Sequence, residues 1–173
     1  VLRYFLLKDR LRHLYNSCHT AKEMTWHLRG HLKDPDLMRY PVDGREWRDL
    51  DMKYPEFAHE PRNVRLGLAT DGFNPFGNMS LSYNMWPMVL IAYNLPPWLC
   101  IKDPYKMLTL LIPGQNAPRK DIDVFLRPLV DELKELWEEG IIVHDAASNA
   151  SFKMRAALLM TINAYPARAS LSG

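Results

Sequence analysis

The spacing of apolar residues near the N-terminus is that of short helices. Leu11, Leu14 and Tyr15 recur at the positions of one helix face. A second helix is predicted to begin at Thr20, because Thr20 and Glu23 have the spacing of a capping box. The first part of the chain is therefore predicted to hold two short helices joined by a turn.

Residues 34–63 have the composition of a proline-rich connector that contains one helix. Asp43 and Glu46 form another capping-box pattern, and Trp47 and Leu50 follow on one face. We interpret Trp47 as a packing anchor and not as a platform for a ligand.

Beyond residue 63 the hydrophobic pattern changes to that of strands. Val64–Thr70 alternates in part and leads into the turn dipeptide Asp71-Gly72. Residues 85–93 and 105–112 are two further β-rich stretches, closed by Pro-Pro and Pro-Gly. Three successive strands joined by modest loops predict an antiparallel meander.

The clearest helix is predicted over residues 121–140, where Gly140 supplies the stop. Its apolar face consists of Ile122, Phe125, Leu126, Leu129, Leu133, Leu136 and Trp137. Its acids are expected to form a solvated face: Asp131, Glu132, Glu135, Glu138 and Glu139. The run Ile141-Ile142-Val143 is predicted to form a short strand. Residues 154–163 fit either a strand or a helix, because their alanines favour helix and Thr161-Ile162 favours strand.

The order β-β-β-α-β predicts an α/β protein with a mixed sheet. A strand that returns after a helix can lie parallel beside an earlier strand. Three antiparallel strands with one parallel strand form the outline of a partial ribonuclease-H-like core, which the pattern allows without requiring it. We accordingly divide the chain into a helical, basic region with its connector, residues 1–63, and a core, residues 64–173.

Charge is uneven along the chain, although the formal net charge is only +2. The basic N-terminal segment, residues 1–33, has two acids and seven basic side chains, namely Arg3, Lys8, Arg10, Arg12, Lys22, Arg29 and Lys33. Residues 121–145 carry eight acids against two basic side chains, and residues 146–173 contain no Asp or Glu. The basic segment either contacts nucleic acid or pairs with acids elsewhere in the chain, and its charge alone does not separate the two.

Composition excludes several classes of protein. With 47% apolar and 24% charged residues the chain is a folded globule, and two cysteines are too few for a disulfide scaffold. The longest apolar stretch, residues 85–101, is interrupted by prolines, so we expect no membrane span. The chain begins at Val1 and not at Met, and we expect it to be a piece of a longer protein.

Three side chains near the N-terminus have some features of a zinc site. Cys18, His27 and His31 are potential ligands, but no fourth ligand is evident and closed zinc sites use four. We therefore expect no zinc, and we expect His27 to be partly exposed on its helix. Cys100 is predicted to be a small buried residue.

Six unusual motifs are spread over the chain, the first being RNVRLGLATDGFNPFG at residues 62–77. The others lie at residues 93–98, 110–114, 121–140, 154–159 and 171–173. Together with Trp26-His27 and residues 41–44, they resemble the transposases of plant CACTA (En/Spm-type) DNA transposons over nearly the whole chain.

The resemblance implies a cut-and-paste DNA transposase with a ribonuclease-H-like core and an Asp-Asp-Glu metal site. Phosphodiester cleavage of this kind uses two Mg²⁺ or Mn²⁺ ions about 4 Å apart, which clamp the attacking and leaving oxygens. Carboxylates hold such hard cations. The resemblance also implies transposon ends as the DNA partner and the nucleus as the location.

Asp71 matches the first acid of that site, although by spacing alone Asp71-Gly72 is a common turn. The second acid is missing, because the family pattern resembles Asn-Asp-Phe-Pro where residues 163–166 read Asn-Ala-Tyr-Pro. Ala164 offers no oxygen, and the third acid would lie beyond Gly173. We expect a decayed or truncated transposase that binds no metal productively and does not cleave DNA. The alternative is a noncatalytic DNA- or protein-binding module that uses the basic N-terminal segment.

Overall fold

The structure, a computed structural model, describes residues 2–31, 38–70, 84–114 and 122–163. Its strands are β1 (Arg3–Tyr4), β2 (Val64–Thr70), β3 (Asn84–Ala92), β4 (Met107–Gly114), β5 (Ile141–Asp145), β6 (Ala150–Met154) and β7 (Ala156–Asn163). Its helices are α1 (Leu7–Tyr15), α2 (Cys18–Glu23), α3 (Trp26–Arg29), α4 (Arg45–Lys53), α5 (Pro55–Ala58), α6 (Pro97–Cys100) and α7 (Ile122–Glu138). Among the described residues, no helix is long and apolar enough to cross a membrane.

The main sheet has five strands in the order β1-β4-β3-β2-β7. The predicted antiparallel meander of β2, β3 and β4 is confirmed. After α7 the chain returns as β7, which pairs parallel to β2 and thereby settles the ambiguous segment as a strand. Before that return, β5 and β6 form a separate antiparallel hairpin, of which the sequence predicted only the first strand.

One face of the sheet carries the core of the molecule. Leu66 pairs with Ala92 and Leu68 with Leu90, and all four side chains are buried. The intervening Ile91 points to the other face and is only partly buried. Helix α7 packs against β4 and β7, and α1 packs against α7, β4 and β5. The described parts of residues 1–63 and 64–173 therefore share one core.

The N-terminal segment forms three helices and not the predicted two. Thr20 lies inside α2, whose N-cap is Ser17, so the predicted capping box with Glu23 is wrong. The helical conformation is interrupted again at Thr25, where φ is −111° and ψ is 17°. The Thr25 hydroxyl donates to the Lys22 carbonyl at 3.0 Å, a local bond that competes with continuation of the helix.

The second predicted capping box is also wrong. Helix α4 has Gly44 at its N-cap, and no side chain caps it. Asp43 instead accepts the backbone N–H groups of Arg39 and Tyr40, both at 3.1 Å. Its other oxygen lies 2.5 Å from Nε2 of His31. Asp43 therefore fixes the turn that precedes α4 and leaves the helix uncapped.

Glu132 lies on α7 but does not belong to the solvated face that the sequence predicted. It is 7% exposed. Its carboxylate accepts the backbone N–H of Leu7 at 3.0 Å, the N–H of Lys8 at 2.8 Å and the hydroxyl of Tyr4. Because Leu6 provides no side-chain cap, Glu132 caps α1 across the core.

Candidate functional site

The parallel pair of strands β2 and β7 ends at a single edge of the sheet. The pairing runs in register from Val64 opposite Ala156 to Thr70 opposite Asn163, with one shift after Leu66. In open α/β sheets, ligands bind beyond the carboxyl ends of parallel strands. The next residues in the sequence are the two expected metal-site positions, Asp71 and Ala164, and both lie outside the described residues.

Two buried polar groups near this edge lack hydrogen-bond partners in the part of the chain that the structure describes. They are the hydroxyl of Thr70, 5% exposed, and the indole N–H of Trp86, 6% exposed. Thr70 pairs with Met88 across β2 and β3, which places it close to Trp86 along the sheet. Unpaired buried groups are uncommon in folded proteins, so these two donors stand out among the described residues.

The basic residues of the N-terminal segment fall into two groups in the structure. On α1, Lys8 forms an ion pair with Glu135, and Arg12 bonds to Asp9 at 2.9 Å. Arg10 lies with its guanidinium 5.7 Å from the centre of the Phe5 ring. This part of the segment pairs with nearby groups, as the second interpretation of the charge predicted.

Three further basic residues of the N-terminal segment are exposed. Arg3 on β1, Lys22 on α2 and Arg29 on α3 carry no ion pair within the described residues. Lys22 and Arg29 line one cavity, whereas Arg3 lies apart on the edge strand. Lys33 lies outside the described residues.

The potential zinc ligands lie in separate environments. Cys18 is exposed at the start of α2. His27 is buried, and its ring centre lies 5.2 Å from that of Trp47, so the predicted partial exposure is wrong. His31 contacts Asp43. Across the described ranges, no three His, Cys, Asp or Glu side chains come together as a metal site.

A cavity of about 380 Å³ lies between α2–α3, the segment before β2 and the β5–β6 turn. Arg62 forms its floor, bonding to Glu60 at 2.7 Å and to Asp145 at 3.2 Å. The Arg62 guanidinium also lies 3.8 Å from the centre of the Phe152 ring. No local pattern in the sequence indicates this cluster, because Arg62 and Asp145 are 83 residues apart in the chain.

Residues 35–173 match the family model of the transposase family tnp2. The chain belongs to the tnp2 transposase family. No curated protein and no solved structure matches it.

The predicted resemblance to a transposase is therefore confirmed, and membership in the tnp2 family implies transposon DNA as a partner. The matched residues include the parallel strands β2 and β7 and the Arg62 cluster. They do not include α1, α2 and α3, so Lys22 and Arg29 precede the tnp2 match. In this tnp2 chain the cavity is lined both by residues of the matched region and by residues of the segment that precedes it.

The two acids of the Arg62 cluster are held in the ionised form. The hydrogen bond from Arg62 lowers the pKa of Glu60 more than partial burial raises it. Burial by itself raises the pKa of Asp145, but bonds from Ser148, the Ala147 N–H and Arg62 lower it overall. Both pKa values are lower in the folded protein than in the unfolded chain. These acids therefore stabilise the fold at pH values above their unfolded pKa values, which are about 4.3 for Glu60 and about 3.9 for Asp145.

We expect the variant Arg62→Gln to be less stable than the wild type at pH 7, with a difference that narrows in acid. The stability that Arg62 confers through Glu60 and Asp145 is complete above about pH 5 and is lost as the pH falls through the folded pKa values. Urea denaturation of both proteins between pH 3 and pH 7 measures the difference. A difference that stays constant over this range would contradict the prediction, and Lys22→Gln serves as the control for loss of one nearby positive charge.

Proposed function

We propose that this chain is the core of a CACTA (En/Spm-type) cut-and-paste DNA transposase that has lost its catalytic activity. The proposal rests chiefly on one observation, the parallel register of β2 and β7 up to Thr70 and Asn163. The next residue in the sequence after each strand is the position that the resemblance assigns to a metal-binding acid. One is Asp71, and the other is Ala164.

The order and direction of the strands support a ribonuclease-H-like core for this protein. Three antiparallel strands lie in the order β4-β3-β2, and β7 follows beside β2, parallel to it, after the helix α7. This is the β-β-β-α-β outline with an added hairpin, β5–β6, between the helix and the returning strand. The edge strand β1 is a second addition, paired to β4.

The residues present do not fit a two-metal site. Two divalent ions need carboxylate oxygens from both sides, and the methyl group of Ala164 supplies none. No acid follows Asp145 within the 173 residues, so none nearby in sequence replaces the missing one. A single carboxylate holds Mg²⁺ weakly, because the ion gives up its water reluctantly. We therefore derive no cleavage step for this chain. We propose the nucleus as its location, as the resemblance implies.

A plasmid-nicking assay in Mg²⁺ and in Mn²⁺ tests the proposal. We expect the wild-type chain to leave supercoiled plasmid intact, and Ala164→Asp tests whether an acid at the second position is sufficient for nicking. The variant Asp71→Ala is the control for contaminating nuclease. Nicking by the wild type that Asp71→Ala abolishes would contradict the proposed loss of activity.

A second candidate function is a noncatalytic DNA-binding module built on the same fold. The observation in its favour is the exposure of Lys22 and Arg29 beside one cavity. A salt-dependent gel shift separates the two candidates. Binding that weakens steeply with salt indicates a retained DNA-binding role, whereas no binding at low salt indicates a remnant without one.

A further inference from the structure

The cavity above Arg62 has two walls of different character. One wall is formed by α2 and α3, which contribute Lys22, Thr25, Leu28 and Arg29. The other is the tight turn between β5 and β6, which includes Ser148. Leu28 is 62% exposed at the mouth, so the entrance combines an apolar side chain with two cations.

The charges around the cavity are not equally available to a ligand. Arg62 is committed to Glu60 and Asp145, and both carboxylates are committed to it in return. The hydroxyl of Ser148 donates to Asp145 at 2.8 Å. Lys22 and Arg29 have no acidic partner within the described residues, so the helical wall carries two positive charges, and the cluster of Arg62, Glu60 and Asp145 carries one net negative charge.

The committed groups give the cavity a fixed shape. Asp145 accepts the N–H of Ala147 at 2.9 Å as well as the Ser148 hydroxyl, which closes the β5–β6 turn. The backbone carbonyl of Arg62 accepts the hydroxyl of Tyr15 at 2.5 Å, and the carbonyl of Tyr15 accepts the N–H of Ala146 at 3.0 Å. The floor, the turn and α1 are thereby tied together. Binding at a preformed site avoids much of the entropy cost of ordering loops.

We propose that Lys22 and Arg29 bind a backbone phosphate of DNA at the mouth of this cavity, at a site separate from the strand ends of β2 and β7. A phosphate diester suits two cations that line the same cavity, one of which is an arginine with a planar donor fork. Leu28 offers an apolar surface to the neighbouring sugar. The proposal rests on the proposed function insofar as that function makes DNA the partner.

The structure favours this site over α1, where the sequence places three positive charges. Lys8 and Arg12 already pair with Glu135 and Asp9. A phosphate that bound to Lys8 or Arg12 would have to displace a carboxylate, and the third cation of α1, Arg10, lies against the Phe5 ring. Lys22 and Arg29 require no such exchange, so they are the basic side chains that gain most from contact with a phosphate.

The test is the salt dependence of binding to a 20-base-pair DNA duplex, measured by fluorescence anisotropy on the whole chain. Each phosphate contact contributes about 0.9 to the slope of log K against log salt concentration. The variant K22Q/R29Q, which removes the one proposed phosphate contact, should therefore lower the slope by about 0.9, so that between 50 and 200 mM salt the wild type loses about 3.5 times more affinity than the variant. The matched control K8Q/R12Q removes the same charge and should leave the slope unchanged.

Each outcome decides between the two claims. Equal slopes for the wild type and K22Q/R29Q, or a reduced slope for K8Q/R12Q alone, would overturn the proposed phosphate site while leaving DNA as the partner. Absence of wild-type binding at 50 mM salt would overturn both the site and the DNA partnership. A competition arm with inorganic phosphate is expected to displace the duplex only at far higher concentration, and equal potency would show a site for free phosphate and would overturn the assignment to DNA. Circular dichroism spectra of the variants establish that each is folded.

Discussion

Replacing Glu132 with alanine is expected to lower the free energy of unfolding by about 3–5 kcal/mol. The carboxylate accepts three hydrogen bonds from groups around the start of α1, and removal leaves the buried N–H of Leu7 without a partner. Burial, and then the bond to Glu132, raises the pKa of Tyr4, so its hydroxyl keeps its proton and acts as a donor. Urea denaturation at pH 7 measures the loss.

The neighbouring acid provides the control for this prediction. Glu135 lies about one turn after Glu132 on the same helix and pairs with Lys8, but its side chain is 48% exposed. Exposed ion pairs contribute little, so Glu135→Ala should be close to the wild type. Glu132→Gln retains one accepting oxygen and should fall between the two. Equal stabilities for Glu132→Ala and Glu135→Ala would show that Glu132 does not cap α1.

The same residue shows where sequence reasoning stops. The period of α7 correctly predicted its apolar face, because that face is set by local spacing, whereas the helix spans Ile122–Glu138 and not the predicted residues 121–140. It placed Glu132 with the other acids, since a buried acid and a solvated acid have the same spacing. The difference arises from α1, more than 120 residues away in the sequence, and no local pattern carries it.

Local competition accounts for the helices that were predicted with the wrong ends. Thr20 and Asp43 both occupy valid capping-box positions in the sequence. In the structure Thr20 is one turn too far along, and Asp43 is drawn back by His31 and two backbone N–H groups. A capping residue binds whichever donors come nearest, and tertiary contacts decide which those are.

The sheet edge and the cavity differ in the same way. A strand, a helix and a strand in succession permit the parallel return of β7 beside β2, but the sequence left residues 154–163 open between strand and helix. The cavity is assembled from residues 21–29, 60–62 and 145–148, which share no motif. Its cations were predicted as part of a charged segment, but only the structure distinguishes Lys22 and Arg29 from the neutralised Lys8 and Arg12.

Replacing Asp51 with alanine is expected to cost about 3 kcal/mol of unfolding free energy, because it leaves a buried cation without its carboxylate. The cation is Arg65 in β2, which is 2% exposed and pairs with Asp51. Its guanidinium lies 4.4 Å from the centre of the Trp47 ring and 5.1 Å from that of Phe57. Burial lowers the pKa of Arg65 against the opposing effect of Asp51, which shows that the site disfavours an unpaired charge. Thermal and urea denaturation measure the cost.

Removing the charge together with its partner should reverse much of this loss. Arg65→Met keeps an extended apolar side chain between the two aromatic rings, and a buried ion pair replaced by apolar groups is often no less stable. The double variant Asp51→Ala/Arg65→Met is therefore expected to be more stable than Asp51→Ala by about 2 kcal/mol. Asp49→Ala, which removes an exposed acid from the same helix, is the matched control and should have little effect. If the two single losses simply added in the double variant, Asp51 would be stabilising the fold by some means other than neutralising Arg65.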